Sequence, residues 1–588
     1  MAKWSLGDVS SSETLTDSDH LYPKMFNELR DSNPATVVVG TGTDAQFTDI
    51  NTAIAQLPSD GGTVEILEGT YTLTAAVSIP SNVHIKGQGT GTIIKLEDGS
   101  TAIKAFTNDD TVSGNSNIRI SNLKIEGNKD NRSGVSTGDY GVYFDNVTEC
   151  RVDNLLIVNI RWKGIYATAS NSVYVSNCNL KTIRDTGIDI AACTHSRVYG
   201  CYVQEITADG GLAPDGIRIA GDDLTVENCI VKDSNYRAFA IEGGSGDYSN
   251  RCQIINCAAY DFKDYGYFMN FNNRCVISGC IAHGEGDSGT YKSSASGGGI
   301  GYRVAVNCII SNNICERNWQ NGINPGSDTT AGEEPYGNLI TGNICRNNNV
   351  GGGSGWGGIF VYVDSAATHR DCVVSNNICY DDQGTPTQKY GIRIATGNQK
   401  GHLVIGNHCY GHAEHGITFA AQNSFIKDNV CRNNGRVSNG DGINVSGAAD
   451  MVISGNVCSD DQTTETQRYG IYCYGGGSAR HIVSNNKCKN NKQDGIYLDA
   501  TSNSVLTGNH CHENGQATVT TYAGIKLNNT TECTVVGNRV HGAQQDYGVE
   551  TTGTSNYNNV SANVLRSNGT GATSLAGANN EVAGANIT

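Results

Sequence analysis

Asp189, Arg218 and Glu242 are the side chains of this sequence best suited, as a set, to acid–base chemistry. Asp189 and Arg218 each hold position x of a recurring segment Gly-Ile-x-Φ, with Φ apolar, as in Gly187-Ile188-Asp189-Ile190 and Gly216-Ile217-Arg218-Ile219. If these segments are strands stacked in register, Asp189 and Arg218 are neighbours about 4.8 Å apart. Glu242 then lies two strands and two residues from Asp189, roughly 12 Å between backbones. Side chains leaning together would bring the carboxyls toward the separation of about 6.5–9.5 Å at which one acid protonates a leaving oxygen and the other activates water. Arg218 between them would hold an anionic ligand or depress a neighbouring pKa. On an exposed face, Asp189→Asn and Glu242→Gln would lower turnover by orders of magnitude with little change in melting. The competing reading is a solvated ion pair beside a solvated glutamate.

Because successive strand residues point to opposite faces, x and x+2 share one exposed surface. The x column runs Tyr143, Tyr166, Asp189, Arg218, Ala240, Phe268, Gly301, Asn324, Phe360, and on through Tyr472, Tyr497 and Lys526 to Glu550. The x+2 column contributes Glu242, Arg303 and Tyr362. Charge gathers at Asp189, Arg218, Glu242 and Arg303, with Tyr143 and Tyr166 on one side and Phe268, Phe360 and Tyr362 on the other. Rings flanking charges suit a ligand with both apolar faces and polar edges. The longest insertions, at 284–297, 327–336 and 350–356, either wall a groove a few strands further on or are simply tolerated there.

The elements that must position these residues are legible in a second pattern. An aliphatic residue two places before Asn or Gly recurs every 22 to 34 residues from Ile120 to Val560, as in Val175-Ser-Asn177, Ile310-Ser-Asn312 and Ile453-Ser-Gly455. Asp428 and Ala562 stand in for the Asn or Gly in two repeats. About seventeen such repeats, with no 3.6-residue period, predict an all-β solenoid, a parallel β-helix. In the later repeats the next residues read Asn-x-Cys, from Asn313-Ile-Cys315 to Asn509-His-Cys511, so Asn should stack on Asn and Cys on Cys.

With 73 glycines, 8 prolines and 17% charged residues the chain is turn-rich, and one long domain suffices because solenoids grow in one dimension. A net charge of −17 argues against a nucleic-acid or anionic-membrane partner; the partner is neutral or is held by local basic residues. The 21 cysteines fall at repeated phases, which predicts reduced core residues rather than disulfides. No cysteine pair has ligand spacing with histidine, so no metal site is expected from them. No run of 18 apolar residues occurs, and the first residues lack the apolar core of a signal peptide, which predicts cytoplasmic synthesis or a removed leader.

Residues 1–40 stand outside the repeat as an arm, with a short helix expected at Leu21–Arg30 and an attachment role by default. In the next segment, 41–95, Ile50, Ala53, Ile54 and Leu57 follow helical spacing behind a Thr48 or Asp49 cap, as a plug over the first coil. Then come Gly61-Gly-Thr-Val64, Gly69-Thr-Tyr71 and Ile79 to Gly89. This opening resembles that of the pectate-lyase-like right-handed β-helix superfamily. The resemblance implies the same fold over 96–565, with 566–588 as a C-terminal end, and a polysaccharide lying along an exposed sheet. It leaves the activity open, since that superfamily includes lyases, hydrolases, epimerases and viral tailspikes. The Asp-Pro-His-Glu motif of alginate epimerases is absent, and Tyr410-Gly-His412-Ala-Glu-His415 only superficially resembles the polygalacturonase set.

The expectation is therefore a β-helix that binds and cleaves a polysaccharide in a tailspike or depolymerase setting, extracellular or on a virion, in a homotrimer if the tailspike likeness extends to assembly. Asp189, Glu242 and Arg218 are the expected catalytic set; Tyr143, Tyr166, Phe268, Arg303, Phe360 and Tyr362 are the expected substrate platform. A noncatalytic adhesin or fibre is one alternative. A calcium-dependent lyase or epimerase is the other, with Arg218 or Lys163 as base and Asp189, Asp215, Asp222 or Asp223 holding Ca²⁺, the one cofactor considered.

Overall fold

The computed structural model describes residues 35–99, 101–132, 138–207, 213–285, 297–326, 334–362, 368–518 and 521–588. Residues 1–34 of the arm, with its expected helix, and most of the insertions at 284–297 and 327–336 lie outside the described residues. The described chain is a right-handed parallel β-helix in which each strand pairs with its counterpart one coil later. A representative coil consists of Lys163–Thr168, a turn, Tyr174–Ser176, a bend and Asn179–Ile183. The aliphatic register read from the sequence holds: Val175 pairs with Val198, Val198 with Val226, and Val226 with Ile254.

At the bend the backbone is left-handed, with φ of 53° at Asn177, 57° at Asn312, 68° at Gly342 and 55° at Asp428. Gly and Asn reach this region most cheaply, which explains why they alternate there. The following residue turns inward and joins a ladder. Asn407 donates its backbone N–H and its Nδ2 to Asn429 Oδ1, both at 2.9 Å, and its Nδ2 also to the Val374 carbonyl at 2.9 Å. Cysteine does the same in earlier coils: the N–H of Cys201 donates to Cys229 Sγ and that of Cys229 to Cys257 Sγ, each at 3.4 Å. The column changes type where Cys280 N–H donates to Asn313 Oδ1 at 2.9 Å. Both residue types thus satisfy a buried N–H at the tight bend. Two residues on, Cys315, Cys345, Cys379 and Cys409 stack in register as core, and all cysteines are free and buried.

A helix at Ile50–Ile54 buries Ile50, Ala53 and Ile54 over the first coil, and Asp49 accepts from the Thr52 N–H at 2.7 Å. Two expected boundaries move. Thr36–Val39 already pairs with Gly62–Ile66, ahead of the break at 40. Tyr547–Thr552 pairs with Gly571–Leu575, and Asn563 N–H donates to Asn586 Oδ1 at 2.8 Å, so coils continue past 565. Val582 and Ile587, in this last stretch, are exposed rather than core.

Candidate functional site

The Gly-Ile-x-Φ strands build one face of the helix, and their pairing follows the expected x column: Tyr143, Tyr166, Asp189, Arg218, Ala240, Phe268, Gly301 and Asn324 are successive partners. Glu242, Asn270 and Arg303 are successive partners in the x+2 column. The glycine that opens each segment faces inward. A Cβ on Gly164 would lie 2.4 Å from Leu180 Cδ2, and one on Gly216 2.4 Å from Val231 Cγ1. The residue before each glycine is therefore directed outward, adding a third column that includes Tyr140, Lys163, Asp215, Arg237 and Tyr265. Sequence reasoning passes over this column, naming Lys163 and Asp215 only for elimination chemistry. Its signal is the charged or aromatic residue directly before the glycine.

Two ionic networks result. Asp189 accepts from Arg218 Nε at 2.9 Å and Nη2 at 2.7 Å, and from Lys163 Nζ at 2.5 Å. Its exposure is 0%. It is thus a buried bridge between two cations, not the exposed groove carboxylate expected from the sequence. Burial, which would weaken the Arg218 cation, is outweighed by Asp189 beside it, and its pKa rises. Arg218 is therefore suited to holding an anion and unsuited to acting as a base.

In the second network Arg237 Nε donates to Asp215 Oδ1 at 2.9 Å, Arg237 Nη1 donates to Glu242 Oε1, and Asn270 Nδ2 donates to Glu242 Oε2 at 3.1 Å. Burial pushes Asp215 up to about 7 against the pull of Arg237. Asp185 is also raised by burial, against Lys163. The carboxyls that share one guanidinium are thus Asp215 and Glu242, rather than Asp189 and Glu242. Of this pair Glu242 is the accessible member, its side chain 19% exposed against 2% for Asp215.

At one end of the charged stretch the rings of Tyr140, Tyr143 and Tyr166 lie 5.0 to 5.8 Å apart, with Lys163 Nζ 4.3 Å from the Tyr166 centroid and Lys104 Nζ 3.6 Å from that of Tyr143. At the other end Phe268 is 7% exposed, with Arg237 at 4.8 Å and Arg303 at 5.9 Å from its ring. Phe268 supports these cations and leaves little free ring face. Phe360 and Tyr362 form a pair 5.8 Å apart further along, with Arg393 4.9 Å from the Phe360 ring. The acidic turn is engaged: Asp223 takes both arms of Arg251 at 2.7 Å, and Asp222 accepts from Asn250 Nδ2 at 2.9 Å. His412 is a core member with its Nε2 3.1 Å from the Cys379 carbonyl, and burial pushes its pKa down to about 3.

The model of the right-handed β-helix region matches residues 111–257, 215–403 and 434–587. The chain belongs to this β-helix family. It is similar to the uncharacterized protein YclG of Bacillus subtilis, 22% identical over 84% of this chain and 85% of that one. It is also similar to the mannuronan C5-epimerase AlgE2 of Azotobacter vinelandii, 26% identical over 37% of this chain and 23% of the epimerase. The chain thus spans most of YclG and about a quarter of the epimerase's length. Among solved structures, bacteriophage phi29 gene product 12 matches 95% of this chain and 76% of its own at 14% identity and a TM-score of 0.51, a likeness of fold.

Proposed function

We propose that the face from Tyr140 to Arg303 binds an acidic polysaccharide laid along the strands' stacking direction. The observation that carries this reading is that buried carboxylates fix a row of cations along this face: Asp189 holds Lys163 and Arg218 from the strands on either side of it, and Asp215 holds Arg237. The Arg218 side chain remains 32% exposed, so the guanidinium is oriented from below and open from above. A pre-positioned planar guanidinium suits the carboxylate of a uronic acid. The tyrosine cluster at one end supplies ring faces for the sugars. Against a chain net charge of −17, a polyanion is attracted where cations gather locally, as they do in this row. The epimerase relative acts, by its name, on mannuronan, which supports the same ligand class, and the phage likeness supports a virion or extracellular setting.

Cleavage is a second reading, favoured by one observation. Asp215, pushed up to about 7 by burial, lies across one guanidinium from the accessible Glu242, and so offers a proton-bearing carboxyl beside a second carboxyl, as two-carboxylate hydrolysis requires. Arg237 must swing aside for Asp215 to reach a glycosidic oxygen.

The test is a glycan array of polyuronates and neutral glycans, followed by product mass analysis with and without a chelator. Acidic glycans should bind, and Arg303→Ala should weaken them about tenfold at unchanged melting. Neutral glycans that bind as tightly and are weakened equally by Arg303→Ala, or no polyuronate binding, overturns the proposal. Shortened chains that gain water support hydrolysis; unsaturated products lost on chelation support the calcium lyase; intact glycan leaves a binding protein.

A further inference from the structure

We infer that the same face carries a second glycan site, separate from the cationic row, which takes a neutral sugar chain by ring stacking. It lies on the strands Ile471–Tyr474 and Ile496–Asp499. The second of these is ten strand pairings beyond Asp215–Asp222, on the order of 48 Å along the axis.

Tyr472 pairs in register with Tyr497, and their rings stack at 5.0 Å and 13°. Tyr474 stacks on Tyr472 at 4.4 Å and 9°. Tyr469 precedes Gly470 in the outward column and lies 5.0 Å from both Tyr472 and Tyr497. The inward neighbours Ile471, Cys473 and Leu498 are fully buried, whereas all four tyrosines are half-buried on the outer face. Four clustered rings on a solvent-facing sheet make an apolar platform of the kind that marks a binding surface.

Charge decides the ligand class. Arg468, 4.5 Å from the Tyr469 ring, gives Nε at 2.9 Å and Nη2 at 3.0 Å to the two oxygens of Asp441, and Lys526 Nζ lies 3.0 Å from Glu550. Both of these cations are thus matched by an acid, and Asp499 adds a negative charge at the platform's edge, where Asn528 Nδ2 reaches it at 2.9 Å. A uronate would meet net repulsion here. A neutral pyranose chain would meet ring faces, phenol hydroxyls and a carboxylate able to accept sugar hydroxyls. At Lys163, Arg218 and Arg237 the arrangement differs: Asp189 and Asp215 are buried beneath the cations while the Arg218 side chain stays 32% exposed, so a cation rather than a carboxylate faces the ligand and the two sites select different sugars.

The test titrates the full chain calorimetrically with neutral hexasaccharides of glucose, galactose, mannose and rhamnose, and with a polygalacturonate hexasaccharide. At least one neutral probe should bind wild type and Arg303→Ala equally, bind Tyr497→Ala about five- to tenfold more weakly, and keep its affinity in Tyr497→Phe, which retains the ring. Nitration of the wild-type protein, mapped by mass spectrometry, should slow at Tyr472 and Tyr497 when that probe is bound, a readout independent of any variant's folding. No neutral probe binding, an affinity unchanged in a folded Tyr497→Ala, or nitration unaffected by the bound probe overturns the inference. Loss of polygalacturonate binding alone bears on the cationic row and leaves this site standing.

Discussion

At the scale of single residues, burial reverses what exposure would have implied for Asp189. Its two oxygens receive three N–H donors from Arg218 and Lys163, and both cations depend on it. Asp189→Asn should therefore destabilise the fold by about 3–5 kcal/mol, the usual result of leaving partly buried charge unpaired. Denaturant unfolding of this variant checks it; a melting curve like that of wild type would restore the exposed-groove reading. Asp494 offers a pH-dependent counterpart. It is buried, accepts from the Ala523 N–H at 2.6 Å, and burial pushes its pKa from 3.8 up to about 7 against the pull of Lys526. Between those values the folded state holds a proton that the unfolded chain releases, so this residue's contribution to stability falls as pH rises from about 4 to 7 and is level above. Asp494→Asn should remove that slope and gain on wild type across this range by on the order of a few kcal/mol. Parallel stability–pH curves for the two proteins would show that Asp494 titrates normally.

At the scale of strands and bends, Asn and Cys are alternative members of one ladder, and this makes a comparison possible. Asn429 Oδ1 accepts both the N–H and the Nδ2 of Asn407, and its own Nδ2 reaches the Val404 carbonyl at 3.0 Å. Asn429→Ala should cost about 2–4 kcal/mol by stranding buried donors. Asn429→Cys should cost less, because Cys229 and Cys257 fill the equivalent position in earlier coils and accept a backbone N–H there. Equal losses in the two variants would mean that sulfur does not replace the amide. The strand register was legible because a period-2 pattern repeated many times has one consistent alignment, and Tyr166, Asp189 and Arg218 fell where that alignment placed them. The column holding Asp215 and Arg237 was not, because an inward glycine interrupts simple alternation just before each strand. Nor was the burial of Asp189, since the cations that cover it come from neighbouring coils, at Lys163 and Arg218.

At the scale of the whole molecule, the helix is a one-dimensional stack whose cysteines run from Cys150 to Cys533, so the chain carries its own probes of coil-by-coil stability. At Cys150 and Cys533 burial raises the thiol to about 11, and at Cys372 and Cys473 to about 12, so at these four positions few thiolates exist near neutral pH even where reagent penetrates. Folded protein should hide nearly all 21 from a thiol reagent, and denatured protein should reveal them without reductant. Finding most of them in disulfides would refute the ladder and place the chain in an oxidising compartment. Between these limits lies a sharper expectation. An interior coil is held by two neighbours and a terminal coil by one, so opening should begin at the ends. Cys533, in one of the last coils, should label at lower denaturant than Cys345 or Cys379, which lie deep in the stack. Pulse labelling with mass-spectrometric mapping reads this order directly; a single common rate for all the cysteines would show that the solenoid opens as one cooperative unit.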